Sequence, residues 1–305
     1  MKFGAPEDIL YVAKPHVGTD VLRNVVTQMR QEIIRLGGSF HFSSKVTDLR
    51  MKDGNVCEIE INGQEWHEVS HLVLAIGHSA RDTFEMLYER QIPMAAKSFA
   101  VGMRVEHPQE MINHSQYGTE VDMNLLPTAA YKLTHQASNG RGVYSFCMCP
   151  GGFVVNASSE PHRLAVNGMS YRKRDSHNAN SAIIVSVTPE DFPNGSHPLS
   201  GVAFQRGLEE KAWNLAKGKV PQQLFGDFEQ GKVSTGFGSF ESCVKGQHDF
   251  ANLREIFPEA LNEAFCEGMH AYGRKIAGFD RADCILSGVE SRTSSPVRIH
   301  RDETF

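Results

Sequence analysis

Apolar residues recur at three- and four-residue spacing from Thr19 onward, at Val21, Leu22, Val25, Val26, Met29, Ile33 and Leu36, and the run closes on Gly37-Gly38. That spacing predicts an amphipathic helix. The period then drops to two in SFHFSSKVTDLRM, VCEIEIN and QEWHEVS, which are separated by Asp53-Gly54-Asn55 and Asn62-Gly63. Alternation punctuated by such turns predicts a three-stranded antiparallel meander. LVLAIG, residues 72–77, has no polar alternation and predicts a strand covered on both faces, followed by a helix in ARDTFEMLYER.

Residues 98 to about 190 predict mostly strands, in FAVGMRVEH, YKLTH, GVYSFCM, GFVVNAS, RLAVNGM and AIIVSVT. A helix over about 201–217 is predicted from Phe204, Leu208, Ala212 and Leu215 on one face. Residues 218–248 read as a long Gly-rich connection with little periodicity, of the kind that is usually functional or mobile. PEALNEAFCEGMHAYGRKI predicts another helix and CILSGVESRTSSPVRIH a return to strand, so the fold class is mixed α/β.

Composition narrows the class. With 40% hydrophobic and 22% charged residues in 305, the chain has enough apolar side chains for a real core and reads as globular. A net charge of -5 gives no footprint for nucleic acid, which needs a basic surface. The one basic cluster, Tyr171-Arg172-Lys173-Arg174, reads as a solvated loop. There is no run of 18 or more apolar residues and no apolar leader in MKFGAPEDIL, so a cytoplasmic protein without a membrane partner is expected. Six cysteines, at 57, 147, 149, 243, 266 and 284, are too sparse for a disulfide scaffold.

Three stretches can carry chemistry. In the first, a strand ending at Ala75-Ile76-Gly77 with His78 just before a helix N-terminus places backbone amides and a positive dipole end where open α/β sheets bind ligands. A tight turn without a ligand fits equally, and His78 can cap that turn. The usual phosphate loops are absent. Gly236-Phe-Gly238 begins like one but is followed by Glu241 and has no strand before it. In the second, Cys147 and Cys149 share a strand face with Cα atoms about 6.5–7 Å apart, the upper limit for a disulfide. A redox or substrate-facing thiol and plain packing both fit, whereas a metal site lacks further ligands at a recognisable spacing. Pro150-Gly151-Gly152 predicts a sharp turn with amides open to an anion or a flat ring. In the third, Glu290-Ser-Arg-Thr-Ser-Ser-Pro296 sets Arg292 for a carboxylate or phosphate, or simply for a surface loop.

Taken together, KPHVGTDVLRNVV, LAIGHSARDTFEMLYER, YKLTHQASNGRGVYSFCMCPGG, NGMSYRKRDSHNANSA, VPQQLFGDF, AYGRKIAGFD and GVESRTSSPVRI resemble the bacterial FAD-dependent dehydrogenases described as uncharacterised NAD(FAD)-utilising dehydrogenases. The resemblance implies a partial Rossmann-like FAD-binding domain over residues 1–97, an inserted β-rich covering domain over 98–280, and a return to the FAD domain over 281–305. It implies FAD as cofactor, NAD(P)H as a possible electron donor and a small-molecule substrate. Ala75, Ile76, Gly77, His78, Ser294 and Ser295 are the expected cofactor contacts, and Cys147, Cys149, Lys132 and Arg292 the residues expected to face flavin or substrate.

Family members open with a GxGxxG loop and close with a glycine-rich segment, and neither is present here, so truncation at both ends and weakened FAD retention are expected. The rival expectation is a cofactor-free binding module using a cleft behind the CMCPGG turn. A sheet lacking its first strand would expose an edge, which predicts self-association.

Overall fold

The computed structural model describes residues 2–195 and 197–301. Residues 302–305 of the expected C-terminal return lie outside them. The helices are α1 (Thr19–Arg35), α2 (Arg81–Glu89), α3 (Gln109–Tyr117), α4 (Ser200–Ala216), α5 (Phe225–Gln230) and α6 (Glu259–Gly273). The strands are β1 (Val46–Lys52), β2 (Asn55–Ile61), β3 (Glu65–Glu68), β4 (Met94–Ala96), β5 (Phe99–Pro108), β6 (Thr134–Gln136), β7 (Gly142–Cys149), β8 (Phe153–Asn156), β9 (Val166–Met169), β10 (Asn178–Val187), β11 (Val220–Leu224), β12 (Val244–Lys245), β13 (His248–Phe250), β14 (Ile285–Glu290) and β15 (Val297–Ile299). The mixed α/β class is as expected. The chain divides into two compact units, one of residues 1–28, 100–187 and 205–293, the other of 29–99, 188–204 and 294–305.

The first unit is built on a seven-stranded sheet, β13-β11-β14-β5-β10-β7-β6, beside a smaller sheet, β12-β8-β9. Strands β5 and β10 are long, central and buried almost throughout. They pack so closely that a Cβ on Gly102 would lie 1.8 Å from the Ile183 carbonyl oxygen, so only glycine fits there. Helix α6 buries Leu261, Phe265 and Met269 and donates from the Tyr272 hydroxyl to the Val143 carbonyl at 2.7 Å. Each such apolar side chain contributes about 1.5–3 kcal/mol on burial.

In the second unit the meander forms as predicted, in the order β1-β2-β3. Asp53-Gly54 (φ 52° and 81°) and Asn62-Gly63 (φ 56° and 69°) supply the paired left-handed residues that tight hairpin turns require. Phe84 of α2, Val202 and Val297 form a small core against which Ile76 packs.

Three expectations need correction. LVLAIG is not a strand: residues 72–77 are irregular, Val73 is 86% exposed, and none of the described residues pairs with the segment. An apolar run becomes a strand only where a neighbour takes its amides and carbonyls. The segment read as a long Gly-rich connection contains β11 and α5, and β11 lies between β13 and β14. Its sequence, VPQQL, hides this because Gln222 and Gln223 are polar, yet both are buried and hydrogen-bonded. Gln222 donates to Ser242 at 2.8 Å and Ser287 at 2.9 Å, while Gln223 donates to the Lys232 carbonyl at 2.6 Å and accepts from the Leu253 amide at 2.7 Å. The basic cluster is also no free solvated loop. Arg172 pairs with Asp8 at 2.6 Å and donates to the His16 carbonyl, so it anchors the N-terminal segment.

Candidate functional site

The seven-stranded sheet carries charge at its centre. Arg104 on β5 and Glu290 at the end of β14 are both buried and meet at 2.8 Å. A register shift between Ser287 and Glu290 in the β14–β5 pairing accompanies this approach. Arg104 spends the rest of its guanidinium on neighbouring strands. Nη1 donates to the Cys147 carbonyl at 2.8 Å and to Asn180 Oδ1 at 3.1 Å, and Nη2 donates to Asn167 Oδ1 at 2.8 Å. Gly168 makes room for it, since a Cβ there would stand 2.5 Å from Arg104 Nη1 and from Asn180 Oδ1. Four strands, β5, β14, β7 and β10, together with β9 of the small sheet, converge on one guanidinium.

Cys147 sits directly over this cation. Its pairing strand shifts register between Asn180 and Ala182, opposite Cys149 and Phe146, and Cys147 takes a left-handed φ of 46°. Such a bulge re-aims side chains at a sheet edge or a site. Here Cys147 is exposed while Cys149 is buried. The Cys149 thiol donates to the Cys147 carbonyl at 3.4 Å and lies within hydrogen-bonding reach of the Cys147 sulfur. That hydrogen bond, joined by the Arg104 charge, draws the Cys147 thiol down to about 5. The same bond and burial push Cys149 up. Burial raises the Glu290 carboxyl against the pull of Arg104. Burial also opposes the Arg104 charge, but Glu290 and the two cysteines outweigh it.

The other expected site residues fall into two groups. Cys147, Cys149, Lys132 and Arg292 belong to the first unit; Ala75, Ile76, Gly77, His78, Ser294 and Ser295 belong to the second. Lys132 is exposed between buried Tyr131 and Leu133. Arg292 is committed inside the protein, with Nε at 2.9 Å and Nη2 at 2.7 Å from the two carboxylate oxygens of buried Glu209, and Nη1 on the Ser159 hydroxyl. Ala75, Gly77 and His78 are exposed. The Ser295 hydroxyl is spent on its own turn, donating to the Val297 carbonyl at 2.8 Å.

The CMCPGG turn differs from its expectation. Pro150, Gly151 and Gly152 are buried, and the two glycine amides are not open to an anion. Gly151 donates to Gln109 at 2.8 Å and Gly152 to the Asn178 carbonyl at 2.9 Å. Gly151, at φ 46°, is needed because a Cβ would lie 1.8 Å from the Arg174 carbonyl oxygen. Cavities of about 560 Å³ beside Met111 and Arg281, and of about 500 Å³ beside Tyr88 and Met94, do not include this turn in their linings. Gly238 is likewise a packing glycine, its Cβ position 2.3 Å from Asp283 Cβ.

Sequence reasoning missed Arg104, Glu106 and His107, which stand in an otherwise apolar run, FAVGMRVEH. Charged residues inside such a run were the available signal, because a strand buried on both faces accepts them only where they are paired. Glu106 is buried and accepts from Ser242 at 2.5 Å, the Cys243 amide at 2.7 Å and Asn178 at 3.0 Å. Burial raises its carboxyl. Among the described residues, no group of three or more metal-ligating side chains comes together, and no helix is long and apolar enough to cross a membrane.

Residues 98–293, about two thirds of the chain and nearly all of its central sheet, match the family described as FAD-dependent protein, C-terminal domain-like. The chain belongs to this family. FAD is therefore the cofactor its family depends on, and the Arg104 cluster lies wholly within the matched residues. An uncharacterized protein of Clostridium beijerinckii is 50% identical over 308 residues, an alignment that covers 100% of this chain and 57% of the relative. The chain thus spans 57% of the length of the curated relative it matches.

The residues expected to meet FAD offer a partial fit. Gly77 adopts φ 70° with nothing within 4 Å of its Cβ position, just before α2, so a flat or phosphorylated group can approach its backbone. Ser295 offers less, its hydroxyl being engaged already.

Proposed function

We propose that the chain acts within an FAD-dependent oxidoreductase of the dehydrogenase type, in which two electrons pass as hydride between FAD and a small-molecule substrate and NAD(P)H serves as electron donor. The observation that carries this reading is the solvent-open Cys147 over the buried Arg104–Glu290 pair, inside the residues matched to an FAD-dependent family. A buried, hydrogen-bonded charge pair under an exposed thiol is costly to build and is the kind of perturbed cluster that marks functional sites.

In this reading Ala75, Ile76, Gly77 and His78, with Ser294 and Ser295, hold the cofactor, and Gly77 admits it to the backbone. When bound, FAD supplies the hydride chemistry at its N5. Cys147 and Cys149 meet the substrate, Lys132 adds an exposed positive charge, and Arg292 is a positioning residue that ties the strand end to α4 through Glu209.

The test is the visible spectrum of the purified chain after incubation with FAD and desalting. With retention weakened, bands at roughly 370 and 450 nm are expected to survive desalting in part and to be bleached by NADH or NADPH. Gly77→Val is expected to lose the bands and Cys147→Ser to keep them. A colourless desalted protein would remove FAD binding from these residues.

A further inference from the structure

Of the six cysteines, only Cys147 and Cys149 meet each other and a buried cation. Burial pushes Cys266 up to about 11 and Cys284 well above the ordinary thiol range, which makes both poor nucleophiles. Cys147 is the opposite case. It is exposed on a bulge, the buried Cys149 thiol lies 3.4 Å from its carbonyl oxygen, and that carbonyl is pinned by Arg104 Nη1 at 2.8 Å. One sulfur is presented to solvent and the second is held beneath it, separated by a single residue. The left-handed Cys147 bends the strand at the point where the two sulfurs must approach each other.

We propose that Cys147 and Cys149 form a redox-active pair whose disulfide state oxidises small thiol substrates. The inference rests on the oxidoreductase reading and gives its substrate class. The thiolate of one substrate molecule attacks the exposed Cys147 sulfur. The Cys147–Cys149 bond breaks, and Cys149 leaves with the electron pair and takes up a proton. A second substrate thiolate attacks the substrate sulfur of the mixed disulfide, and Cys147 leaves as a thiolate. The pair gains two electrons, two thiols become one disulfide, and one net proton is released. The direction follows from what the Arg104 cluster stabilises. A thiolate held by a buried guanidinium and a neighbouring thiol favours the reduced protein, and a favoured reduced form makes its disulfide a stronger oxidant. Cys147 is also the better leaving group in the second step, as the mechanism requires.

The test needs no flavin, so its failure is distinguishable from failure of FAD binding. The protein is equilibrated anaerobically with graded ratios of reduced to oxidised glutathione, quenched by alkylation, and the peptide carrying both cysteines is weighed. Wild type is expected to form the internal disulfide under oxidised glutathione and to lose it completely as reduced glutathione rises. Cys149→Ser is expected to stop at a persistent glutathione adduct on Cys147. At pH 6, iodoacetamide is expected to modify Cys147 about tenfold faster than an ordinary exposed thiol, the gain in thiolate fraction being partly offset by its lower intrinsic nucleophilicity. Two results overturn the proposal: only glutathione adducts and no internal disulfide in wild type, or a disulfide that survives excess reduced glutathione. Because both are read on the wild-type chain, a variant that fails to fold leaves the decision intact.

Discussion

Arg104 Nη1 donates to the backbone carbonyl of Cys147 at 2.8 Å, so the buried cation of the central sheet holds the residue whose thiol faces solvent. The same guanidinium is paired with Glu290 at 2.8 Å, which fixes its fork. The exposed thiol at the surface and the buried charge pair in the core are one construction.

Removing the cation should therefore cost both stability and reactivity. Arg104→Ala leaves Glu290 buried without its partner, which destabilises by about 3–5 kcal/mol. Arg104→Met with Glu290→Leu should recover part of that loss, because no lone charge remains. Urea unfolding of the three proteins measures it. A double variant less stable than Arg104→Ala would show that the hydrogen bonds to Cys147, Asn167 and Asn180, rather than the charge pair, hold this region.

Gly168→Ala tests the cradle around the guanidinium. The added methyl would stand 2.5 Å from Arg104 Nη1, and Arg104 cannot swing away without giving up its hydrogen bonds to the other strands. We expect a loss of about 1–3 kcal/mol, the usual cost of overpacking. The Cys147 alkylation profile should also move toward that of an ordinary thiol. An unchanged profile would mean that the cluster absorbs the methyl without shifting Arg104.

His107 should make the protein acid-sensitive. It is fully buried, with Nε2 donating to the Phe279 carbonyl at 2.6 Å and Nδ1 without a partner among the described residues. Burial lowers it from 6.5 to about 4, so on acidification the unfolded chain takes up the proton first. Its contribution is intact above pH 6.5 and is lost as pH falls toward 4, by about 2 kcal/mol at pH 5. Glu106 and Glu290, raised by burial, act in the opposite sense and gain stability as pH falls. The difference between wild type and His107→Gln isolates the histidine. Parallel stability curves for the two proteins from pH 7 to pH 5 would rule this out.

The helices and the meander were legible because their signals are local. α1 follows from three- and four-residue spacing, and the hairpins from Asp53-Gly54 and Asn62-Gly63, whose left-handed φ values the turns require. The Arg104 cluster was not legible, because it joins positions 43 to 186 residues apart and no local spacing encodes such a meeting. β11 was hidden because Gln222 and Gln223 bond their amides through partners that only the fold supplies. LVLAIG failed for the converse reason: its composition is that of a strand, but pairing is a property of the neighbour. The two cysteines were visible as a pair, but not the cation beneath them.

Glu106 should control the segment that reaches back to it from residues 239–245. Its carboxylate accepts from Ser242 and from the Cys243 amide at 2.7 Å, and a buried acceptor of this kind costs about 1–3 kcal/mol to remove. Glu106→Ala should release that segment first, seen as faster hydrogen exchange at Cys243 and its neighbours with β5 and β10 still protected. Uniform loss of protection would indicate that the carboxylate supports the whole sheet instead.

The exposed apolar face of α1 predicts association. Leu22, Val26, Met29 and Ile33 recur at helical spacing and are each 45–55% exposed, and only Val25 of this helix is buried. The unpaired run at residues 72–77 adds apolar backbone with no sheet partner among the described residues. Patches and edges of this kind seek cover, and a second copy of the chain can supply it. Light scattering should show a mass that rises with concentration, and Val26→Glu with Ile33→Lys should lower it while the meander's circular dichroism is unchanged. If the wild-type chain stays monodisperse and monomeric at high concentration, neither surface drives assembly. The polar residues interleaved along α1 would then suffice to keep it solvated.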